Sequence, residues 1–253
     1  MQVFATEQAY WEGQGSENPW WAVLTNRSLG VDIPIEEKLS FYDTGIGAVE
    51  EMKSHFAELS MKPVWAGRAM DLGCGLGRMS NALSALGFED VLCVDQAPSF
   101  LAAAQKALSE LDGRGAIAKG ASKSVKFVHS GPDLSCQVQP GTVDFVHSIL
   151  TLQHMKPQLQ VAYIEQMCDA LKVNGIGYLG IPIGTLSWLY EGNRESVHCS
   201  MDWENPSMMM HYTEEAEVGR HLASRGCSVV GVVDRNDIGT NFGEARRFIF
   251  RRA

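Results

Sequence analysis

The sequence is short of basic charge. Its 253 residues carry 21 Lys and Arg against 30 Asp and Glu, which gives a formal net charge of −9 and a pI of about 5.3. Nucleic acids are bound by clustered, surplus Lys and Arg, so they are not expected partners. With 45% hydrophobic and only 20% charged residues, the composition is typical of a packed globular protein and not of a disordered one.

Long hydrophobic runs are also missing. No stretch approaches the roughly 20 consecutive apolar residues of a membrane span. Met1 to Tyr10 has neither the basic start nor the apolar centre of a signal peptide. We therefore expect a cytoplasmic protein without a membrane partner.

Cysteine patterns typical of metal sites are absent as well. The cysteines lie far apart, and none forms a CxxC pair or a zinc-type spacing with histidine. His198, Cys199 and Asp202 stand close together, but a fourth ligand at a known spacing does not accompany them. We expect reduced thiols and no bound metal.

What the chain does have is an alternation of apolar and helical segments. Strand patterns cover residues 68–72, 91–94, 126–129, 143–148 and 176–181, and helical patterns cover residues 78–87, 99–111 and 158–171. This alternation predicts an α/β fold with a doubly wound, mostly parallel sheet and helices on both faces. Two closing strands, 228–233 and 247–250, are predicted to form an antiparallel hairpin on the sheet edge.

Several boundaries follow from cap and stop signals. Asn174-Gly175 is predicted to end the helix 158–171. Thr213 is predicted to cap a further helix with an acidic first turn, which ends at Arg225-Gly226. Before the first strand, apolar residues at helical spacing predict a helix through 46–59, whereas Tyr10 to Trp21 is aromatic and irregular.

A glycine-rich segment, DLGCGLGR (71–78), lies where the first strand turns into a helix. Glycines leave the backbone open to a ligand. The dinucleotide pattern GxGxxG has its third glycine where this chain has Arg78, and Asp71 would oppose a pyrophosphate but attract an ammonium group. Asp95, at the end of the second strand, is suited to accept both hydroxyl protons of a ribose. Together they indicate a nucleoside that carries an amino acid.

On these residues the chain resembles the class I S-adenosylmethionine-dependent methyltransferases. The resemblance covers residues 64–253 and rests on DLGCGLGR (71–78), VDQAPSFLAAA (94–104), VDFVHSILTLQHM (143–155) and LKVNGIGYLGIP (171–182). It implies a seven-stranded sheet with an antiparallel C-terminal hairpin, and S-adenosyl-L-methionine over the carboxyl ends of the first and second strands. Residues 1–63 would form an N-terminal helical cap or flap, residues 64–253 the methyltransferase core, and residues 185–212 a substrate lid.

The resemblance assigns the methionine part of the cofactor to the glycine-rich segment. Its ammonium group would face Asp71, and its carboxylate would meet Arg78. The chain between them would lie in the cradle formed by Gly73, Gly75 and Gly77.

The resemblance assigns the nucleoside part to the strand ends. Asp95 would hold the ribose, Gln96 the adenine side, and Ile149, after the fourth strand, completes the cofactor-binding set. An acidic residue commonly follows the third strand of this family and holds the adenine amino group. This chain has HSGPD (129–133) there, so Ser130 or Asp133 is the candidate.

His154 is the candidate catalytic residue, because it follows the fourth strand, where this family's sheet meets the transferred methyl group. Its imidazole can accept a proton near neutral pH. The alternative is that it orders the loop by hydrogen bonds. A similar histidine, with a glycine loop that also ends in arginine, occurs in methyltransferases that act on protein N-terminal amines.

Three further groups have two interpretations each. Trp11, Trp20 and Trp21 form either a flap over the cofactor or a staple onto the core. The aromatic and methionine-rich residues after the fifth strand form either a substrate lid or a dimer contact: Trp188, Tyr190, Trp203, Met208, Met209, Met210 and His211. The basic end is interpreted as a solvated edge strand: Arg246, Arg247, Arg251 and Arg252.

The expected function is transfer of a methyl group from S-adenosylmethionine to an oxygen or nitrogen of a small molecule. The alternatives are methylation of a peptide N-terminal amine and a catalytically inactive cofactor-binding partner protein. An NAD-linked oxidoreductase is disfavoured by Arg78 in place of the third glycine.

Overall fold

The computed structural model describes residues 2–24, 33–115, 117, 120–183, 197–199, 208–235 and 244–253. The chain divides into two compact units, Met1–Val138 and Gln139–Ala253. The glycine-rich segment belongs to the first unit, and the C-terminal hairpin belongs to the second.

The described residues form one large sheet and one small sheet. The strands are β1 (Arg68–Leu72), β2 (Asp90–Asp95), β3 (Val125–His129), β4 (Val143–Ser148), β5 (Leu171–Ile183), β6 (Val197–Cys199), β7 (Met208–Met210), β8 (Cys227–Arg235) and β9 (Glu244–Arg252). The order in the seven-stranded sheet is β3-β2-β1-β4-β5-β9-β8, and β6 pairs with β7. Within the first unit β1, β2 and β3 are parallel; within the second, β4 and β5 are parallel and β9 is antiparallel to β5 and β8. The predicted fold class is confirmed.

Helices surround these strands. They are α1 (Gln2–Glu17), α2 (Pro19–Leu24), α3 (Ile35–Glu58), α4 (Arg78–Leu86), α5 (Pro98–Glu110), α6 (Ala121–Ser124), α7 (Pro157–Ala170) and α8 (Glu215–Ser224), with 3₁₀ turns at Leu134–Cys136 and Leu152–His154. The predicted helices 78–87, 99–111 and 158–171 agree with α4, α5 and α7 to within one residue at each end. Among the described helices, none combines the length and the apolar character needed to cross a membrane.

The N-terminal segment is helical, so the prediction that Tyr10 to Trp21 is irregular is wrong. α1 packs on the start of α5, where Glu12 accepts hydrogen bonds from the Ser99 backbone N–H and hydroxyl, each at 3.0 Å. Gly13 and Gly15 lower the intrinsic helix propensity of this segment. Tertiary contacts with α5 therefore stabilise α1, because the helix propensity of its own sequence is low.

α7 runs directly into β5, so Asn174 and Gly175 do not end the helix as predicted. Leu171 already pairs with Val143 of β4, and the register then shifts so that Ile176 pairs with Phe145. Asn174 has a φ of 64°, a left-handed conformation that asparagine tolerates better than most residues. The signal interpreted as a helix stop is an irregularity inside the strand.

The predicted hydroxyl cap of α8 is also wrong. Glu214 occupies the N-cap position and makes no side-chain capping bond, while the Thr213 hydroxyl donates a hydrogen bond to the Gln160 amide oxygen. The Thr213 hydroxyl thus binds the buried side-chain amide of Gln160 instead of capping α8. The acidic first turn is present as Glu215 and Glu217.

The C-terminal arginines do not form a solvated edge, because β9 lies between β5 and β8 and the edge strand is β8. Arg247 is only 5% exposed. Arg252 donates to two backbone carbonyls at the end of α7, and the guanidinium of Arg246 lies 3.1 Å from an Asp234 carboxylate oxygen. Of the four arginines, only Arg251 is exposed to solvent.

Gly177 of β5 accommodates the ring of Phe250, its partner on β9. The ring lies over Gly177 at the position that a side chain would occupy. Phe250 is fully buried. The absence of a side chain at residue 177 is therefore part of how β5 and β9 pack.

We expect Gly177→Ala to lower the free energy of unfolding by about 1–3 kcal/mol, because the added methyl group displaces a buried ring. Urea denaturation measures this change. Gly219→Ala in α8 is the control, since nothing lies within 4 Å of the added Cβ. That variant is expected to gain up to about 1 kcal/mol from helix propensity. Unchanged stability of Gly177→Ala would contradict the packing described.

Candidate functional site

The glycine-rich loop between β1 and α4 is fastened to the end of β2. The backbone N–H groups of Gly73 and Cys74 both donate to the Val94 carbonyl, at 2.8 and 3.0 Å. Gly73, Gly75 and Gly77 all have positive φ values, of 73°, 50° and 74°. L side chains rarely adopt this conformation, so the path of the loop favours glycine at these positions.

The N-terminal helices also approach this loop. A Cβ atom at Gly75 would lie 2.9 Å from Cγ2 of Val23 in α2. The hydroxyl of Tyr42 in α3 donates to the Leu76 carbonyl at 2.8 Å, and burial raises the Tyr42 pKa. Val23, a residue of the protein itself, therefore leaves no room for a side chain at residue 75.

Asp71 and Arg78 flank the loop, and both are buried. Asp71 accepts a hydrogen bond at 2.7 Å from the hydroxyl of Ser80, in the first turn of α4. Arg78 donates from Nη1 to the Thr44 hydroxyl at 3.4 Å. Its buried Nε has no hydrogen-bond partner among the described residues. Burial lowers the Arg78 pKa, and the Asp71 charge opposes that shift.

Asp95 lies at the carboxyl end of β2 with both oxygens facing backbone donors. Oδ2 accepts from the Gly75 N–H and Oδ1 from the Ala97 N–H, each at 2.9 Å. Burial raises the Asp95 pKa to about 6, with a further increase from the Asp71 charge, although the backbone donors oppose the shift. Each carboxylate oxygen keeps acceptor capacity, so the group can take two more hydrogen bonds from a diol.

Gln96 follows Asp95 and is 6% exposed. Its buried Oε1 has no hydrogen-bond partner among the described residues. Its backbone carbonyl accepts a 2.9 Å hydrogen bond from the side-chain amide of Gln8 in α1, and that amide also lies 2.9 Å from His129 Nε2. Sequence reasoning missed Gln8, because no motif surrounds it and α1 itself was not predicted.

The two candidates after β3 differ in position. Ser130 is buried, and its N–H donates to the Asp95 carbonyl at 2.9 Å. Asp133 is exposed and accepts two hydrogen bonds from Ser135, which lower the Asp133 pKa. The structure thus places Ser130 beside Asp95, whereas Asp133 caps a 3₁₀ turn.

The N-terminal tryptophans contact the core to different extents. Trp20 is 6% exposed and packs edge-on against Phe41 and Tyr42, with ring centroids 5.1 and 6.3 Å apart. The ring of Trp11 lies 6.4 Å from that of Phe100 in α5. Trp21 is partly exposed. The packing of Trp20 favours a staple over a flap for that residue.

In the second unit, Ile149 and His154 follow β4. His154 is partly exposed in the 3₁₀ turn, and its Nε2 lies 3.3 Å from the side-chain amide of Gln153. The carbonyl of Gln153 accepts from the His211 N–H at 2.7 Å. The contact with Gln153 agrees with the interpretation that His154 orders the loop. Its partial exposure agrees with the other interpretation, because the molecule that accepts the methyl group could reach it.

Gln160 of α7 connects the two segments around this turn. It is fully buried, and its amide nitrogen donates to the carbonyls of Met155 and His211 at 3.0 and 3.2 Å. Its amide oxygen accepts from Thr213. Sequence reasoning assigned no role to this glutamine, which lies within a helix between two stretches that are far apart in sequence.

Most of the predicted lid lies outside the described residues, including Trp188, Tyr190 and Trp203. Met208–Met210 forms β7 against β6, and His211 is buried directly after it. Asp202 of the dismissed metal cluster also lies outside the described part of the chain. Within that part, no group of three or more His, Cys, Asp or Glu side chains is arranged to hold a metal ion.

Residues 69–175, from β1 into β5, match the family model described as a methyltransferase domain. These residues carry a methyltransferase domain. The methyltransferase predicted from the four sequence motifs is confirmed, and with it the expectation of an enzyme. The methyltransferase match includes the glycine-rich loop, Asp95 and His154.

Solved methyltransferase structures share this fold. Magnesium protoporphyrin IX methyltransferase from Synechocystis PCC 6803 with bound SAH is 17% identical, with a TM-score of 0.59 and coverage of 97% of this chain and 98% of that chain. A SAM-dependent methyltransferase from Methanosarcina mazei is 18% identical, with a TM-score of 0.60 and coverage of 73% and 92%. The 1,6-didemethyltoxoflavin-N1-methyltransferase from Burkholderia thailandensis is 15% identical, with a TM-score of 0.52 and coverage of 84% and 78%. Among curated proteins no significant match is found.

We expect binding of S-adenosylhomocysteine to weaken as the pH falls below about 6. Ribose hydroxyls that donate to Asp95 stabilise its ionised form, so binding lowers its pKa. By linkage the affinity is then full above the unbound pKa of about 6 and falls by up to about tenfold at pH 5. Calorimetric titration from pH 8 to pH 5 measures this profile.

Asp90→Asn is the matched control for this profile. Asp90 is at the opposite end of β2 and pairs with Arg68 and Lys126, so this variant is expected to keep the wild-type pH profile. Asp95→Asn is expected to bind weakly at every pH and to lose the dependence. A flat wild-type profile between pH 8 and pH 5 would contradict the role of Asp95.

Proposed function

We propose that the chain transfers the methyl group of S-adenosylmethionine to an oxygen or nitrogen atom of a small molecule. The observation that carries this proposal is the carboxylate of Asp95, held by the N–H groups of Gly75 and Ala97 at the end of β2. This arrangement places a carboxylate that can accept hydrogen bonds from a diol next to the glycine-rich loop. A nucleoside linked to an amino acid has the functional groups to use both.

The polar atoms around the loop fit such a ligand. The Nε of Arg78 is a buried donor with no partner among the described residues and suits the ligand's carboxylate. The Oε1 of Gln96 is a buried acceptor that also has no hydrogen-bond partner among the described residues, and it suits an N–H donor on the adenine side. A buried polar atom costs free energy until it is hydrogen-bonded, so both atoms favour a bound molecule with complementary groups.

Asp71 would act mainly through its charge. Its carboxylate is buried below the loop and accepts the Ser80 hydroxyl. A negative charge at this position stabilises an ammonium group near the start of α4, and it also supports the charge of Arg78. Ser130, buried beside Asp95, is then a better candidate than the exposed Asp133 for the adenine side.

A small molecule is the proposed acceptor because of the fold neighbours. Two of them are named for small-molecule acceptors, magnesium protoporphyrin IX and 1,6-didemethyltoxoflavin. The acidic net charge of −9 adds no general affinity for a nucleic acid. Both facts favour a small acceptor for this chain.

The proposed chemistry is direct displacement at an electrophilic methyl group, which the sulfonium cofactor supplies when it is bound. The chain's task is to hold the nucleophile in line with that methyl group and to exclude water. His154 accepts the proton of a protonated nucleophile. Gln153, whose amide lies 3.3 Å from His154 Nε2, orients the ring.

The proposed organisation assigns residues 1–63 to a cap on the cofactor-binding side and residues 64–253 to the catalytic core. The contacts of α1 with Ser99 and of α2 with Gly75 support the first assignment. The substrate lid at 185–212 stays a prediction.

A screen with methyl-labelled S-adenosylmethionine tests the proposed function. Metabolites and short peptides are incubated with the protein, and labelled products are detected by mass. We expect at least one small molecule to be labelled. Labelling of peptides alone would contradict a small-molecule acceptor, and absence of transfer to every candidate would contradict catalysis.

With the acceptor found, His154→Gln is expected to lower kcat by about 10²-fold or more, because glutamine cannot accept the proton near neutral pH. Binding of S-adenosylhomocysteine should be unchanged. His221→Gln is the control, since His221 lies on α8 and contacts Glu165. A normal rate for His154→Gln, or a loss of cofactor binding, would contradict the role of a base.

A further inference from the structure

One face of α3 lies against the glycine-rich loop, although this helix precedes the residues that match the methyltransferase family model. Tyr42, Gly45 and Val49 are all buried, and their spacing of three and four residues places them on one face of α3. The Tyr42 hydroxyl donates to the Leu76 carbonyl at 2.8 Å. This face of α3 therefore reaches the loop two residues before Arg78.

Gly45 allows α3 to approach Arg78 closely. A Cβ atom at residue 45 would lie 2.6 Å from the Arg78 carbonyl oxygen and 3.0 Å from Arg78 Cγ. The backbone of α3 thus lies against both the main chain and the stem of this side chain. Glycine within a helix is less favourable than alanine by about 1 kcal/mol, and this close contact is a physical reason for a glycine here.

Thr44 holds the other end of the Arg78 side chain. The Thr44 hydroxyl donates to the Phe41 carbonyl at 2.6 Å, which commits its only proton. Its oxygen is left as an acceptor, and Arg78 Nη1 donates to it at 3.4 Å. Two adjacent residues of α3 therefore contact the stem and the tip of the same arginine.

These contacts leave a donor of Arg78 for a ligand. The guanidinium is planar, with Nη1 at one corner and with Nε and Nη2 along a separate edge that suits bidentate binding of a carboxylate. Arg78 is 7% exposed, and its buried Nε has no hydrogen-bond partner among the described residues. A buried donor without a partner costs free energy, which a carboxylate at this edge would recover.

We propose that Thr44 and Gly45 are positioning residues for the cofactor, which hold Arg78 so that its Nε–Nη2 edge binds the carboxylate of the methionine part. The proposal rests on the proposed function. It gives a helix that lies outside the methyltransferase match a direct part in ligand specificity. If α3 only packed against α4, its residues would not distinguish a ligand with a carboxylate from one without it.

The test compares two ligands that differ in this one group. S-adenosylhomocysteine and its decarboxylated analogue, which keeps the nucleoside, the thioether and the amine, are titrated into the protein by calorimetry. We expect the wild type to bind S-adenosylhomocysteine about ten- to a hundredfold more tightly, the usual contribution of hydrogen bonds between charged groups.

Thr44→Val keeps the shape of the side chain and removes the acceptor. We expect it to weaken binding of S-adenosylhomocysteine about three- to tenfold and to leave the affinity for the analogue unchanged. Thr44→Ser retains the hydroxyl and is expected to behave as the wild type. Ser54→Ala is the matched control, because the exposed Ser54 of α3 makes the same kind of bond, to the Glu51 carbonyl at 2.7 Å.

Gly45→Ala tests the contact with the stem of Arg78. The added methyl group would push α3 and Arg78 apart, so we expect the affinity for S-adenosylhomocysteine to fall about tenfold, as on loss of one hydrogen bond to a charged group. The affinity for the analogue should not fall in parallel. Gly47→Ala on the same helix is the matched control, since nothing lies within 4 Å of its added Cβ. Melting temperatures of all variants are measured beside binding.

A double mutant shows whether Thr44 acts through Arg78. Arg78→Gln is expected to bind the two ligands with similar affinity, and Thr44→Val should cause no further loss in that background. Additive losses would overturn the proposal, because Thr44 would then act on binding by another route.

Equal losses for both ligands in Thr44→Val and Gly45→Ala would also overturn the proposal, and so would unchanged affinities. If one of these variants does not fold, the other decides. A wild type that binds the two ligands equally would overturn the role of Arg78 and its neighbours and leave the proposed function standing. Failure of the wild type to bind S-adenosylhomocysteine would overturn both.

Discussion

The hydrogen bonds at the end of β2 are the interaction on which the first unit depends. The Val94 carbonyl accepts from Gly73 and Cys74, and the Asp95 carboxylate accepts from Gly75. One strand end therefore fixes both the path of the glycine-rich loop and the position of the acid beside it. These hydrogen bonds hold the loop in place without a ligand, and preorganised sites lose less free energy to ordering on binding.

The same strand end keeps a carboxylate where water is scarce. Burial raises the Asp95 pKa to about 6, and the backbone donors offset only part of that effect. The ionised acid is thus maintained at a cost to the empty protein, which further hydrogen bonds from ribose hydroxyls would reduce. Arg78 and Gln96 likewise bury polar atoms that a ligand can satisfy. Buried polar groups that lower the stability of the empty protein are common at ligand-binding sites.

The parallel core could be predicted because its signals are local. Apolar strands, the glycine cluster and Asp95 lie within a short stretch of sequence, and each constrains the next. α1 could not be predicted, since Gly13 and Gly15 obscure its pattern and its stability comes from contacts such as that between Glu12 and Ser99. The burial of Arg247 was also missed. A charged strand near the C-terminus is typical of an edge, and only the strand order shows that β9 is internal.

Calorimetric titration of the wild-type protein at neutral pH tests the central claim most directly, with S-adenosylhomocysteine and NAD as the two ligands. The account predicts binding of S-adenosylhomocysteine in the micromolar range and no binding of NAD, because an acid-led GxGxG loop beside Asp95 suits an amino-acid-bearing nucleoside and opposes a pyrophosphate. Binding of NAD without binding of S-adenosylhomocysteine would contradict it.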